Sequence, residues 1–573
     1  MDIKRTVLWV IFSFSLLMLW DNYNRYTGKP SIFFDATPAQ TTATPAATAT
    51  GDNAAKTADV PTAATVPTAN NASGTGVPTG DVTPSKSEVI TITTDLMKVD
   101  IDTAGGEIRR LELLKHHESS DESKNVVLFG VSAQHTYLGQ TGLIGGAYPN
   151  HKSMFTAVPG VRTMDNADQV QLVLQSEQQG VKLIKTLTFK RGEYKVDVKH
   201  DVVNNTGAPI NPSLYMQLVH DGTSLGGGSM FMAATFTGPA IYTDTDKFQK
   251  VTFESIEKGK IEHALKGDSG WIALVQHYFV SAFVPPANTP REYFTKKLAT
   301  NLYAVGTIVP LGAVAPGATA SMDATLYSGP QESTRLEAVA PGFELVKDYG
   351  WLTIIAKPIF WLMIQIHQIL GNWGWTIIVL TIVIKLAFFP LSAAGYRSMA
   401  KMKLVTPKMT DIRTRFKGEP QKMNAAMMEL YKKEKINPIG GCFPMLVQIP
   451  VFISLYWVLL ASVEIRNASW LWIHDLASPD ILLGAYDIFG FHLTIGILPI
   501  LMAISMFIQT KLNPTPPDPI QAKVMMWMPI VFSIMFFFFP AGLVLYWVVN
   551  NILSIAQQWF INEKLMGGSK AAS

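Results

Sequence analysis

One lysine interrupts an otherwise apolar run: Lys385 stands in Trp373-Gly-Trp-Thr-Ile-Ile-Val-Leu-Thr-Ile-Val-Ile-Lys385-Leu-Ala-Phe-Phe-Pro390. An ammonium group at a bilayer centre costs roughly 2.5–3.5 kcal/mol even on the mildest scale, so a chain that keeps one there usually uses it. The chemistry on offer is attraction of a passing anion or polar group, without bond making. Thr381, one turn earlier, shares its helical face. Polar side chains recur in the other apolar runs, at Gln448, Ser454, Ser505, Gln509, Ser533, Tyr546, Asn550, Asn551 and Ser554. Such groups either line one wet cavity or serve as hydrogen-bond glue between helices. The inert alternative is a snorkelling lysine, because Lys385 lies only ~10 Å from the inner end of its expected span at ~1.5 Å per residue.

Soluble-enzyme motifs are nearly absent. The chain has no Gly-Lys-Ser/Thr phosphate loop, no His-Glu-x-x-His and no paired-cysteine metal site. Its single cysteine, Cys442, excludes an intramolecular disulfide framework. Gly222-Thr-Ser224-Leu-Gly226 matches the nucleophile elbow, but it sits in a β-rich region with no helix to follow, the wrong setting for that motif. Neither cofactor nor metal is expected, and any energy for transport must come from outside the chain. A Met- and Phe-rich run from Val524 to Pro540, with Met525, Met528 and Phe532, is the adaptable kind of surface that packs against variable partners or against lipid.

These residues need elements to position them. Of 573 residues 48% are hydrophobic and only 16% charged, against ~25% charged in a typical soluble domain. The apolar excess lies at the extreme N-terminus and after Trp351. Residues 1–24 read as an uncleaved membrane anchor, since Lys4-Arg5 precedes an apolar run that ends without a small-x-small cleavage pattern. Residues 25–87, rich in Ala, Thr and Pro, cannot bury enough apolar surface to offset their ordering entropy and read as a disordered tether. Residues 88–340 carry short period-2 runs such as Gln169-Val-Gln-Leu-Val-Leu and Val181-Lys-Leu-Ile-Lys, parted by turns at Ala104-Gly-Gly106 and Arg191-Gly192. They predict a large all-β antiparallel sandwich.

Residues 341–372 predict a helix lying in the membrane interface, with a sixth crossing as the alternative. Residues 373–562 predict five spans, roughly Trp373 to Leu391, Cys442 to Val463, Phe491 to Gln509, Val524 to Pro540 and Ala541 to Phe560. Between the first two, 392–438 reads as a basic hairpin of two short amphipathic helices, the first starting at Thr406-Pro407. It carries Lys401, Lys408, Arg413, Arg415, Lys422 and Lys432 among others, so the positive-inside rule places it in the cytoplasm. The same rule puts both termini, including the tail 563–573, inside and the β domain outside. The hairpin is either a solvated connector or a docking arm for a nascent chain or ribosome.

Several blocks resemble the YidC membrane-protein insertase family in its Gram-negative form: Asn372-Trp-Gly-Trp-Thr-Ile, Pro390-Leu-Ser-Ala-Ala-Gly-Tyr-Arg-Ser-Met-Ala-Lys-Met, Asn437-Pro-Ile-Gly-Gly-Cys-Phe-Pro-Met-Leu-Val-Gln-Ile-Pro450, Trp472-Ile-His-Asp-Leu and Phe539-Pro-Ala-Gly-Leu-Val-Leu-Tyr-Trp547. The resemblance implies a polytopic bacterial inner-membrane protein with a five-helix core around a hydrophilic groove, open to cytoplasm and lipid but closed toward the periplasm. It implies that Lys385, Thr381, Gln448, Tyr546 and Trp547 line the groove, and that substrate slides along the spans beginning near Cys442 and Val524, past Met525, Met528 and Phe532. Two positions depart from it: family members usually carry arginine at Lys385 and often tyrosine at Trp547. Lysine keeps the charge but lacks the planar fork of arginine. The implied partners are nascent membrane proteins, the Sec translocon with its accessory subunits, a ribosome and the lipid bilayer.

The reading that follows is an energy-independent insertase and folding chaperone that is not an enzyme. A secondary transporter using Lys385 is the alternative, but it should show an internal repeat and broken helices, and no repeat is visible. A third reading makes the β sandwich a carbohydrate- or peptide-binding module on a membrane anchor.

Overall fold

The computed structural model describes residues 87–118, 123–132, 135–223, 235–434, 443–488, 491–512 and 519–561. The expected anchor, nearly all of the tether, Ser224, Cys442 and the tail lie outside the described residues. The chain divides into two units, with the boundary between Lys347 and Asp348.

The first unit is built from two antiparallel sheets, of ten and nine strands among the described residues. In the first, Glu107–His117, Thr136–Ile144, Ser213–Asp221, Leu302–Pro310 and Arg291–Ala299 are neighbours; in the second, Gln169–Gln178, Val181–Lys190, Lys195–Asn204, Thr319–Pro330 and Phe279–Val284. The alternation expected from sequence is visible residue by residue. Val181, Leu183, Leu187 and Phe189 are buried while Lys182 and Thr186 between them stay partly accessible, as period-2 side-chain geometry requires. The anticipated turns hold Gly105 at φ +79° and Gly192 at φ +74°, a region that favours glycine because it has no Cβ.

Two inward positions on adjacent strands are polar. Lys185 and His200 pair across the ladder and are both almost wholly buried. Lys185 Nζ donates to the carbonyls of Gly105 at 2.8 Å and Thr141 at 2.9 Å and stands 4.5 Å over the Phe155 ring. His200 Nε2 lies 2.9 Å from the Thr141 hydroxyl. This polar bridge ties the two sheets through the core, where an unpaired donor would be costly.

The second unit is helical: α1 Thr353–Leu370, α2 Trp373–Ala387, α3 Phe389–Arg415, α4 Pro420–Lys433, α5 Phe443–Ala461, α6 Ile497–Leu512, α7 Pro519–Phe536 and α8 Ala541–Phe560. One apolar cluster runs through it, containing Phe360 and Met363 of α1, Ile377 and Leu380 of α2, Leu455 and Leu459 of α5, Met502 of α6, Phe536 of α7 and Val544 of α8. The opposite face of α1 exposes Trp351 just before the helix, then Ile354, Trp361 and Ile369. By length and composition the stretch 350–370 is long and apolar enough to cross a membrane, as in the alternative reading of 341–372.

Three local expectations are corrected. The span expected from Trp373 to Leu391 stops at Ala387, where α2 meets α3 at 67°. Pro390, in the first turn of α3, has no N–H to continue the earlier helix. Thr406-Pro407 does not start the hairpin helix, because α3 runs straight through it. The Thr406 hydroxyl donates instead to Met402 O at 3.1 Å, and Val405, Met409 and Leu430 pack the two arms together. The span expected from Phe491 begins only at Ile497, since Phe491–Thr494 pairs with Ala485–Ile488 in a short hairpin. The alternation Phe491-His492-Leu493-Thr494 is a strand pattern that a hydropathy window averages away.

Candidate functional site

Asn372 starts α2 as its N-cap, accepting from Gly374 N at 3.0 Å and Trp375 N at 3.2 Å. Lys385 consequently falls in the last turn of that helix, with a side chain only 7% exposed. Its Nζ donates to the Ser554 hydroxyl at 2.7 Å, which donates onward to Asn550 O at 2.7 Å. The Tyr396 side chain of α3 also lies beside Ser554. Among the described residues no carboxylate pairs with Lys385, so its charge is buried against neutral groups alone.

The partners come from one stripe of α8, where Tyr546, Asn550, Ser554 and Gln558 recur every fourth residue and are all buried, as one face of a helix requires. The Gln448 amide of α5 donates to Asn550 Oδ1 and its side chain also lies beside the Tyr546 hydroxyl. Asn551 donates to Ser505 Oγ of α6 at 3.0 Å. Four helices thus contribute to a polar cluster around one cation. A cavity of about 20 Å³ beside it is lined by Lys385, Ser392, Gln448 and apolar neighbours, room for roughly one water.

Of the expected groove residues, Lys385, Gln448 and Tyr546 come together here. Thr381 is buried one turn from Lys385, but its hydroxyl is spent on Ile377 O at 2.6 Å within its own helix. Trp547 turns away, with its ring 4.5 Å from Phe452 and 5.4 Å from Phe536, an apolar setting that a hydroxyl-free side chain fits. Met528 and Phe532 are exposed on α7; Met525 lies on the same helix, its side chain outside the described ones. Sequence reasoning missed Tyr396. It sits in a segment read as either a solvated connector or a docking arm, and only the bend at Phe388 brings it beside Ser554.

The family described as YidC periplasmic domain matches residues 89–362, and that described as 60Kd inner membrane protein matches 365–568. A protein named membrane protein insertase YidC from Herminiimonas arsenicoxydans is 87% identical over 572 residues, covering 100% of both chains. A namesake from Janthinobacterium sp. (strain Marseille) is 79% identical over 566 residues, covering 99% of each. A solved structure described as an active YidC insertase with its first transmembrane domain resolved aligns at 16% identity and a TM-score of 0.38, over 84% of this chain and 93% of its own.

Proposed function

The chain belongs to the YidC family of membrane protein insertases, and from that premise we propose how its polar cluster receives a substrate. It is an inner-membrane insertase rather than an enzyme, and its substrates are nascent membrane proteins. Lys385 is the electrostatic receptor for the acidic or polar tail of the incoming chain. The observation that carries this is a buried ammonium whose one direct hydrogen bond among the described residues goes to a neutral hydroxyl. A buried charge without a counter-charge is costly, and a carboxylate arriving from the substrate relieves that cost. Gln448, Tyr546, Asn550 and Ser554 supply exchangeable hydrogen bonds that solvate the tail part-way. Burial of the substrate's own apolar span in lipid, at ~25 cal/mol per Å² of apolar surface, supplies the drive without a nucleotide. The apolar segment leaves along α5 and α7, past Met525, Met528 and Phe532.

The orientation that fits is multi-pass with both termini cytoplasmic and the β sandwich periplasmic, supported by the basic face of α3 and α4, where Lys401, Lys408, Arg415, Lys422 and Lys432 are exposed. That face is the docking arm for a ribosome, with the Sec translocon as a further partner. The domains follow the sequence-based division, with an anchor at 1–24, a tether at 25–87, a sandwich at 88–340, α1 in the interface and the core at 373–562.

The test is insertion of a small membrane protein with a short acidic translocated tail into liposomes holding only this purified protein, scored by protease protection. Lys385→Arg should insert near wild-type level and Lys385→Ala should fall several-fold. Equal insertion by all three would reduce Lys385 to a bystander.

A further inference from the structure

We propose that Asp480, in the connector from Val463 to Gly484, is the positioning residue through which that connector keeps the polar cluster closed at one end. The seal rests on the orientation proposed above, which puts this connector on the periplasmic side.

A single irregular segment satisfies N-terminal N–H groups of two helices and anchors the capping residue of a third. Ser478 O accepts from Ala541 N at 2.8 Å and Leu476 O from Gly542 N at 2.9 Å, capping α8. Ser469 O accepts from the Asn372 side chain at 3.0 Å at the head of α2. The third end is held by a side chain. Asp480, 5% exposed, accepts from Leu498 N of α6 at 2.9 Å and Trp472 Nε1 at 3.3 Å through Oδ2, and from Leu482 N at 3.3 Å through Oδ1. Helix N-termini leave their first N–H groups unpaired and carry partial positive charge, so a buried carboxylate there is both acceptor and counter-charge. The fit is close: a Cβ on Gly496 would stand 2.3 Å from Asp480 Cγ, and one on Gly374 would stand 2.1 Å from Trp470 Cγ.

Below these caps the helices are dry before they turn polar. Ser505 lies ~12 Å along α6 and Tyr546, the first polar member of the α8 stripe, ~8 Å along α8 from their capped ends, at ~1.5 Å per residue. In between, Ile377, Leu380, Leu498, Met502 and Val544 form part of the buried apolar cluster. A plug of this kind excludes water only while the helix ends are held in register, and the connector holds them. Asp480 is the side chain through which it grips α6.

The experiment uses the full chain in sealed membrane vesicles, with Cys442→Ser and Ser505→Cys, and an impermeant maleimide added on the connector side. That side is identified with His474→Cys, an exposed connector position. Ser505→Cys should be nearly inert with Asp480 in place. Asp480→Ala, and independently Gly496→Ala, should raise its labelling about tenfold, as an opening made ~1.4 kcal/mol easier would give. Asp480→Asn, which keeps one acceptor oxygen, should fall between and guards against variants that fail to fold. Unchanged labelling in Asp480→Ala and Gly496→Ala with lowered thermal stability overturns the proposal, leaving a local staple. If His474→Cys reacts only from the cytoplasmic side, the orientation fails instead, and the seal is judged with the reagent on that side.

Discussion

Mild acid should loosen the β sandwich through two histidines, and the size of the effect follows from their burial. His200 is fully buried beside Lys185, and burial holds its pKa down to about 3. Burial likewise holds His220 down to about 4, although Asp221 partly opposes it. In the unfolded chain both return to an ordinary 6.5. Between those values the unfolded state binds protons that the folded state refuses, so stability is intact above about pH 6.5 and is lost as pH falls towards the folded-state values. At ~1.36 kcal/mol per pKa unit, going from about pH 7.5 to about pH 5 removes roughly 2 kcal/mol per histidine and about 4 kcal/mol for the pair. Lys185, pulled from 10.5 to about 7 by the same burial, adds to the loss only above about pH 7, where the unfolded chain binds a proton that the folded one refuses. Glu107, raised by burial, works the other way on acidification. Hydrogen exchange of 181–190 and 195–204 in the intact protein reads the effect, after correction for intrinsic rates. His200→Gln, whose amide can still reach Thr141, should remove about half of the pH slope. A slope unchanged in the His200→Gln, His220→Gln double variant would refute the reasoning.

Two further outcomes are expected of the helical unit. Gly374→Ala should lower thermal stability by about 1–3 kcal/mol, the usual cost of overpacking a close contact, because the added Cβ meets the Trp470 ring; an unchanged melting temperature would count against that contact. Asn372→Ala should cost ~1 kcal/mol as a lost N-cap and also release its bond to Ser469, while Asn372→Ser should recover most of the stability in the same melt.

Much of this protein was legible from residue order. The sandwich was, because strand burial imposes period 2 on residues such as Val181, Leu183, Leu187 and Phe189. So was the odd cation, because one lysine in an apolar run is conspicuous at any resolution. The boundaries were harder. Pro407 reads as a helix start by local rule, yet α3 passes through it; packing of Val405 and Met409 on Leu430 outweighs the local preference. Trp547 and Tyr546 are neighbours in sequence and both rings lie against Phe452, yet only Tyr546 shares the buried polar stripe of Asn550 and Ser554.

Sequence by itself determined which elements form and what charge they carry, since hydrophobic period, turn residues and flanking lysines act over a few residues at a time. Tertiary structure alone decided what meets what. Ser554 reaches Lys385 from 169 residues away and Gln448 reaches Asn550 across 102. Asp480 caps a helix that starts well beyond the three-residue reach of a local cap. Such pairings depend on the path of the chain through space, and the close approach of two helices leaves no periodic trace in either one.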